Sequence, residues 1–186
     1  MNKNETTFSR IVILSGSPGT GKSTIAQMLA EESVYDKAVH IEVDDFWQSI
    51  RKGYIHPWMD GSGDQNQTVA EAVAAGARVY SQGGYEVFAA GTIGPWFLEP
   101  WMDIAKAGAD VRYIVLRPDE ETTVMRATTR QQREFFPLDV GAIRDVWKSF
   151  TNMGRYESFV LDTTGQSIEE SVTLIKRSLS ENRFRL

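Results

Sequence analysis

The sequence predicts a doubly wound α/β domain, in which helices cover both faces of a parallel sheet. Short continuous apolar runs alternate with segments whose apolar residues repeat at helical spacing, a pattern typical of parallel strands joined by helices. The first apolar run, residues 11–14, leads directly into a glycine-rich loop and then a helical period. Crossovers between parallel strands are right-handed. In an open sheet of this kind, ligands are expected outside the carboxyl ends of the strands.

The glycine-rich loop is the most specific motif of the chain. Residues 16–23 read G-S-P-G-T-G-K-S and fit the phosphate-binding pattern G-x-x-x-x-G-K-[ST] without a departure. Its glycines let backbone N–H groups point at an anion beside a helix N-terminus. Lys22 would reach the β- and γ-phosphates, and the Ser23 hydroxyl would ligate Mg²⁺. The loop predicts nucleotide binding by Gly16, Ser17, Gly19, Thr20, Gly21, Lys22, Ser23 and Thr24.

The composition indicates an ordinary globular protein and excludes several classes of function. With 186 residues, a single domain over residues 1–186 is expected. A net charge of −5 argues against a general nucleic-acid or membrane-surface role. The absence of cysteine excludes disulfides, thiolate zinc sites and thiol nucleophiles, and it fits a reducing cytoplasm. Residues 1–10 are too polar for a signal peptide, and no apolar stretch is long enough to span a bilayer.

The remaining elements follow from the same patterns. Further strands are predicted at residues 38–43, 85–90, 111–116 and 158–161, which gives five parallel strands. The family resemblance described below implies that their order is 2-3-1-4-5. Further helices are predicted at residues 46–52, 69–80, 94–106, 119–133, 140–150 and 168–179. Residues 53–67 are rich in Gly, Asp, Asn and Pro, which predicts a mobile loop. A small lid at about 126–140 and an acceptor-side loop at about 45–67 complete the expected domain.

Two carboxylates follow the second predicted strand. Asp44 and Asp45 lie where the carboxyl end of that strand faces the phosphates. A carboxylate there can accept a proton from an acceptor hydroxyl or hold Mg²⁺ through water. The structural alternatives are helix capping by Asp44 and a place for Asp45 in the first turn of the next helix. Asp44 is the preferred base, with Asp45 as a second candidate that would contact the substrate or the metal.

Three arginines share one face of the predicted helix at residues 119–133. Arg126, Arg130 and Arg133 are spaced by four and three residues and precede the break Phe135-Phe136-Pro137. A helical hairpin ending there could close over ATP and bring positive charge to the transferring phosphoryl group. The alternative is a solvated basic face.

The third predicted strand ends without a carboxylate. Many phosphate-loop ATPases carry an Asp there, but this chain has Ala89 and Ala90, so Ser23 and Asp44 are expected to serve the metal. Gly91 and Thr92 follow, and they would face the substrate or simply form the turn before the next helix. Arg51 is a further candidate acceptor ligand, aimed at the cleft by the short helix after Asp44. His40 and His56 are isolated and lack metal-ligand spacing.

Together these residues resemble small phosphate-loop (P-loop) kinases of the nucleoside-monophosphate-kinase type. The likeness is strongest to the branch of chloramphenicol phosphotransferases, zeta toxins and gluconate or shikimate kinases. It rests on residues 16–23, 43–44, 126–133 and 160–164. The resemblance implies a P-loop NTPase α/β/α sandwich that uses ATP and Mg²⁺ to phosphorylate a small molecule. It also implies that Asp44 is the base and Arg126 stacks on adenine. Arg130 and Arg133 would then reach the phosphates, and Thr163 and Thr164 would border adenine.

Other functions remain open at this point. A GTPase would explain D-T-T-G at residues 162–165, but that motif follows the last predicted strand and no Asn-Lys pair lies where it could read guanine. A toxin-like kinase acting on a nucleotide sugar shares every feature above. A non-catalytic nucleotide sensor would not need Asp44. The acceptor is expected to be a nucleoside or nucleotide, a sugar acid or an antibiotic-like alcohol, and the chain a monomer or homodimer.

Overall fold

The computed structural model describes residues 8–130 and 139–186, and its core is a parallel sheet. The strands are β1 (Ile11–Ser15), β2 (Ala38–Glu42), β3 (Glu86–Ala90), β4 (Val111–Leu116) and β5 (Val160–Leu161). They lie in the order β2-β3-β1-β4-β5, and every neighbouring pair is parallel. The predicted order 2-3-1-4-5 is therefore confirmed. β1 lies at the centre and all five of its residues are buried, as expected of a strand covered on both faces.

Helices cover both faces of the sheet and make three layers. They are α1 (Lys22–Glu31), α2 (Asp44–Gln48), α3 (Gly63–Gln82), α4 (Glu99–Lys106), α5 (Glu120–Arg130), α6 (Val140–Ser149) and α7 (Ile168–Ser180). Successive residues of β1 point to opposite faces. Ile11 and Ile13 therefore join a core with residues of α3 and α4, whereas Val12 and Leu14 join a second core with α1 and α7. The predicted α/β/α sandwich is confirmed.

Three predicted boundaries were wrong. α2 begins at Asp44 rather than residue 46, so Asp44 is its first helical residue and Val43 precedes it as the N-cap. α3 begins at Gly63, inside the predicted loop, because polar residues of its first turn bond the chain before it rather than solvent. β5 has two residues instead of four, since a 3-10 helix, Gly154–Phe159, occupies the start of the predicted strand.

The segment between α2 and α3 is tied to the N-terminal turns of α3. Gln65 accepts a hydrogen bond from the Ile55 N–H (2.8 Å) and donates to the Ile55 carbonyl (2.6 Å). Asn66 donates to the Pro57 carbonyl (2.7 Å) and accepts from the Trp47 indole N–H (3.0 Å). These side chains, rather than solvent, are the hydrogen-bond partners of the loop backbone. The polar composition of the segment alone did not indicate these bonds.

The last described residues complete the outer edge of β4. Tyr113 donates from its backbone N–H to the Phe184 carbonyl (2.9 Å), and Leu186 donates to the Val111 carbonyl (3.0 Å). Arg112 is buried there, forming an ion pair with Asp110 (2.7 Å) and donating to the Arg183 carbonyl (2.9 Å). This segment covers the part of β4 that the short β5 leaves unpaired.

Part of the predicted lid lies outside the described residues. Residues 126–130 belong to α5 and residue 140 begins α6, but residues 131–138 fall between the two described ranges. Across residues 8–130 and 139–186, no helix combines the length and apolar character needed to cross a membrane.

Candidate active site

The candidate site lies at the carboxyl edge of the sheet, where every sequence-predicted group follows a strand. The phosphate loop follows β1, Asp44 follows β2, Thr92 follows β3 and Thr163 follows β5. Register fixes their relative heights, because Leu14 of β1 pairs with Ala90 of β3, which in turn pairs with Glu42 of β2. This is the edge at which open parallel sheets bind ligands.

The phosphate loop has the backbone that its glycines allow. Gly16, Gly19 and Gly21 have φ values of 139°, 86° and 86°, which residues with a Cβ rarely adopt. At Gly19, the surrounding atoms also leave no space for a side chain. A Cβ there would lie 2.5 Å from the Thr123 carbonyl oxygen and 2.8 Å from the Ala127 Cβ. The loop therefore packs directly on α5.

The side chains of the loop are largely turned inward. Ser17 and Thr20 are buried, and the Thr20 hydroxyl donates to the Ser17 carbonyl (3.0 Å). Lys22, which begins α1, is also buried and donates from Nζ to the same carbonyl (3.3 Å). Ser23 is half-buried, whereas Thr24 is exposed. The loop thus has the ammonium and hydroxyl groups that nucleotide phosphates and a divalent cation require.

Asp44 and Asp45 form the first turn of α2. Both are exposed, and α2 has no side-chain hydrogen bond at its N-cap. The capping role considered for Asp44 is therefore wrong, since Val43 holds the N-cap position. Asp45 does lie in the first turn, where a negative charge suits the helix dipole. Val43 donates from its N–H to the Ala90 carbonyl (2.9 Å), which fixes the start of α2 against the end of β3.

Glu42 is a third carboxylate at this edge, and the sequence analysis missed it. It is half-buried, and burial raises the pKa of its carboxyl above the usual range, whereas a hydrogen bond with the Ser23 side chain acts to lower the same pKa. The charges of Asp44 and Lys22 also act on it, in opposite directions. Its place as the last residue of β2, at the strand end that also leads to Asp44, was the signal in the sequence.

Glu42 supplies a carboxylate where β3 supplies none. It pairs in register with Ala90, one of the two alanines at the predicted strand end that lack a carboxylate. Across residues 8–130 and 139–186, no group of three or more His, Cys, Asp or Glu side chains could hold a metal ion. Mg²⁺ bound with a nucleotide takes one or two carboxylates and fills its other positions with phosphate and water. The Ser23 hydroxyl and the Glu42 carboxylate therefore fit that ion.

The turn after β3 is held by buried hydrogen bonds. The Ile93 carbonyl accepts from the Ser15 hydroxyl (2.6 Å) and the Tyr113 hydroxyl (2.7 Å). Thr92, beside it, donates from its hydroxyl to the Gly16 carbonyl (3.3 Å) and so contacts the phosphate loop. Gly91 is buried against Val43, whose Cβ would lie 2.5 Å from a Cβ at position 91. Close packing accounts for Gly91, and its role toward the substrate stays a prediction.

A second group of predicted residues meets between α5 and the segment after β5. Arg126 is half-buried and donates to the Gln166 carbonyl (3.0 Å). The Thr164 hydroxyl accepts from the Asp119 N–H (2.8 Å), so it holds the start of α5. Thr163 is buried, and its hydroxyl has no hydrogen-bond partner among the described residues. These contacts bring together the three residues expected beside adenine.

Two further predictions concern the lid arginines and Arg51. Arg130 ends α5, and Arg133 lies outside the described residues. Arg51 follows α2 and is exposed, so its role as an acceptor ligand stays a prediction. Nearby, burial raises the pKa of the Tyr54 hydroxyl, and the charge of Asp44 adds to this shift. Tyr54 therefore lies within electrostatic range of Asp44.

The sheet order, the phosphate loop and the strand-end groups define the fold of a small P-loop kinase. A family model described as an AAA domain matches residues 11–153. The chain belongs to that family. No match was found among curated protein sequences.

Solved structures share this fold at low sequence identity. The tunicamycin resistance protein of Deinococcus radiodurans is 18% identical, with a TM-score of 0.66 over 92% of this chain and 95% of that one. A gluconokinase from Sinorhizobium meliloti 1021 is 17% identical, with a TM-score of 0.64 over 95% and 98%. Shikimate kinase from Acinetobacter baumannii is 17% identical, with a TM-score of 0.62 over 96% of each chain.

Proposed function

We propose that this protein is an ATP-dependent small-molecule kinase that transfers the γ-phosphoryl group to a hydroxyl or phosphate of its acceptor. The observation that carries the proposal is the arrangement of the phosphate loop and the carboxylates of β2 and α2 at one edge of the sheet. A phosphate loop alone requires only nucleotide binding. A carboxylate beside it, free of any capping role, supports phosphoryl transfer.

Each residue of the proposed site has a defined task. Backbone N–H groups of the loop would cradle the β- and γ-phosphates, and Lys22 would offset their charge. Bound Mg²⁺ would neutralise further phosphate charge, held by Ser23 and, directly or through water, by Glu42 and Asp44. Arg126, Thr163 and Thr164 would border the nucleoside. Thr92 would border the acceptor.

The proposed reaction is an in-line displacement. Asp44 orients the acceptor hydroxyl and takes its proton, while the acceptor oxygen forms a bond to the γ-phosphorus. The bond between that phosphorus and the β–γ bridging oxygen breaks, and ADP leaves. Catalysis then rests mainly on positioning and electrostatics.

Substitution of Lys22 and Asp44 tests the proposal. We expect Lys22→Ala to abolish turnover, and Asp44→Asn to keep ATP-analogue binding while lowering turnover by about 10² or more. Release of ADP is measured against nucleosides, nucleotides, sugars, sugar acids and neutral alcohols. Asp64→Asn is the matched control, because it removes an exposed carboxylate from the first turn of another helix, α3. Normal turnover by Asp44→Asn would refute its role as base, and ATP binding without ADP release would indicate a sensor.

Substitution of Glu42 tests the metal assignment separately. Glu42→Gln should weaken binding of Mn²⁺, used as a spectroscopic probe, to the complex with a non-hydrolysable ATP analogue by about 10-fold. Metal-free binding of the analogue should not weaken, because the change removes a negative charge near the phosphates. Glu71→Gln on the exposed face of α3 serves as the control. Equal Mn²⁺ affinity in both variants would remove Glu42 from the metal site.

A further inference from the structure

His40 and Glu42 share one face of β2, an edge strand of the sheet. Ile41 belongs to the core that includes residues of α3, and Val39 packs against that core. Because successive residues of a strand point to opposite faces, His40 and Glu42 face the other layer, where α1 packs on β2. Ser23 lies in the first turn of α1. The pair therefore lies where the proposed metal site meets the sheet.

The imidazole of His40 has a buried nitrogen beside the Glu42 carboxylate. Nε2 of His40 lies 3.7 Å from Oε2 of Glu42. Solvent does not reach this nitrogen, and it has no hydrogen-bond partner within the described part of the chain. A buried polar group without a partner costs free energy. A hydrogen bond to the adjacent carboxylate would remove that cost.

The tautomer with a proton on Nε2 fits this setting. A neutral imidazole has one N–H and one nitrogen lone pair. A lone pair on Nε2 would face a negatively charged oxygen, whereas an N–H there can donate to it. The separation of 3.7 Å is longer than a formed hydrogen bond, so a small rotation of either side chain is needed to close it.

Glu42 also has a partner on α1. Its side chain hydrogen-bonds with the Ser23 side chain, whose hydroxyl is proposed to hold Mg²⁺. A carboxylate has two oxygens and can therefore serve Ser23 and His40 at the same time. Carboxylates that bind metals are themselves hydrogen-bonded, and loss of such an outer partner weakens metal binding by about 10–100-fold. Contacts thus run from His40 through Glu42 to the phosphate loop.

We propose that His40 is a positioning residue, which holds the Glu42 carboxylate beside Ser23 so that these two groups can bind a divalent cation with the nucleotide. The inference rests on the proposed function and extends its metal site to a residue that does not itself contact the cation. It requires an N–H donor at the position of Nε2 and not a positive charge. The alternative is that His40 only fills space between β2 and α1.

Two substitutions separate hydrogen-bond donation from packing. His40→Leu fills similar space without a donor, whereas His40→Gln places an amide N–H at a similar distance along the side chain. We expect His40→Leu to weaken binding of Mn²⁺ to the complex with a non-hydrolysable ATP analogue by about 10-fold, and His40→Gln to weaken it by less than about 3-fold. Electron paramagnetic resonance of the free Mn²⁺ measures these affinities.

Two controls exclude a general disturbance of the fold. Binding of the ATP analogue without metal should be the same in both variants and in the unsubstituted protein, because neither substitution alters the phosphate loop. His40→Asn is a second polar variant, with an amide one carbon shorter than that of His40→Gln. It should lose Mn²⁺ affinity as His40→Leu does, and it provides the test if His40→Leu does not fold.

Combination with Glu42→Gln shows whether His40 acts through Glu42. In the Glu42→Gln background, His40→Leu should weaken Mn²⁺ binding by less than about 2-fold, because the carboxylate that His40 positions is already gone. A further loss of about 10-fold in that background would show that the two residues act independently, and the proposal would be wrong.

The outcomes separate this proposal from the function on which it rests. Unchanged Mn²⁺ affinity in His40→Leu, or equal losses in His40→Leu and His40→Gln, would overturn the positioning role and leave the kinase function standing. A loss in His40→Leu that Glu42→Gln does not share would also overturn it. Release of ADP and its dependence on Lys22 test the kinase function independently of these measurements. A loss that His40→Gln restores and that disappears in the Glu42→Gln background would support the proposal.

Discussion

Gly19 combines a conformational and a spatial requirement in one residue. Its φ of 86° lies in the left-handed region, and a Cβ would lie 2.5 Å from the Thr123 carbonyl oxygen. Backbone carbonyls cannot rotate away as a flexible side chain can. The position therefore restricts both the phosphate loop and the helix packed on it.

The first prediction concerns Gly19→Ala. We expect it to weaken ATP-analogue binding and to lower the free energy of unfolding by more than the ~1–2 kcal/mol of left-handed backbone strain alone. Urea unfolding and calorimetric titration measure the two effects. Gly84→Ala is the control, because Gly84 has a φ of 85° with no atom within 4 Å of a Cβ. Equal loss of stability in both variants would show that contact with α5 contributes nothing.

Sequence reasoning located single residues when a local rule fixed their position. Asp44 was located from its place at a strand end, and it lies in the first turn of α2 without a capping bond. Its role as base stays a prediction. Glu42 did not follow, because its setting depends on β2 lying beside β3 and on Ser23 approaching from α1. A local sequence pattern does not show which residues of different helices and strands lie close together.

At the scale of elements, the segment between α2 and α3 is held by a few polar side chains. Asn66 is buried and bonds the Trp47 indole, the Pro57 carbonyl and the Ser62 hydroxyl. Removal of this amide leaves the indole N–H of the buried Trp47 without its partner, whereas the half-buried Pro57 carbonyl still accepts from the Ser62 hydroxyl (2.9 Å). Such an N–H keeps its desolvation cost after the hydrogen bond is lost.

The second prediction is that Asn66→Ala lowers the free energy of unfolding by about 1–3 kcal/mol. It should also raise KM for the acceptor, because Asn66 bonds Trp47 on the short helix that carries Asp44, while KM for ATP stays constant. Urea unfolding and steady-state ADP release measure these effects. Gln67→Ala, which removes an exposed amide from the next residue, should leave both quantities nearly unchanged. A uniform loss of activity toward ATP and acceptor alike would contradict the positioning role.

Elements were predictable where apolar periodicity was strong. β1 and β4 were placed within one residue, since continuous apolar runs of that length predict buried strands. The start of α3 was not predictable from its composition, because Gly63, Asp64 and Asn66 are typical of loops. The contacts of Gln65 and Asn66 with the preceding chain decided the structure.

At the scale of the whole molecule, two neighbouring groups on β2 respond to pH in opposite directions. Burial lowers the pKa of His40 below its ordinary 6.5, against the influence of Asp45. The contribution of His40 to the free energy of unfolding is therefore full above pH 6.5 and is lost as the pH falls through the lowered pKa. Burial raises the pKa of Glu42 above its ordinary 4.5. Its contribution is full below that value and is lost as the pH rises through the raised pKa.

The third prediction follows from these signs. Between about pH 4.5 and 6.5, His40→Gln should make the slope of unfolding free energy against pH less positive, and Glu42→Gln should make it more positive. Urea unfolding at a series of pH values, without added metal, measures the slopes. His40 Nε2 and Glu42 lie 3.7 Å apart, so the double variant reports their coupling. Slopes that change in the same direction would contradict the assignment.

Topology was the most predictable property of the molecule. The alternation of strands and helices predicted a parallel sheet between helices, and the family resemblance implied the strand order that the structure has. The C-terminal segment was not foreseen. Arg112 is a polar interruption of an apolar run, and its bond to the Arg183 carbonyl forms only because residues 182–186 lie along β4.

The packing of Gly19 on α5 connects the regions proposed to bind the phosphates and the nucleoside of a nucleotide. The same helix that meets the phosphate loop at Thr123 and Ala127 also places Arg126 beside the segment after β5. Coupling free energies are reciprocal. If phosphate binding displaces the loop backbone and with it α5, it changes the affinity at the proposed nucleoside end, and the base then changes the affinity for phosphate by the same factor. Base preference and phosphate preference would then be coupled in this chain through one helix.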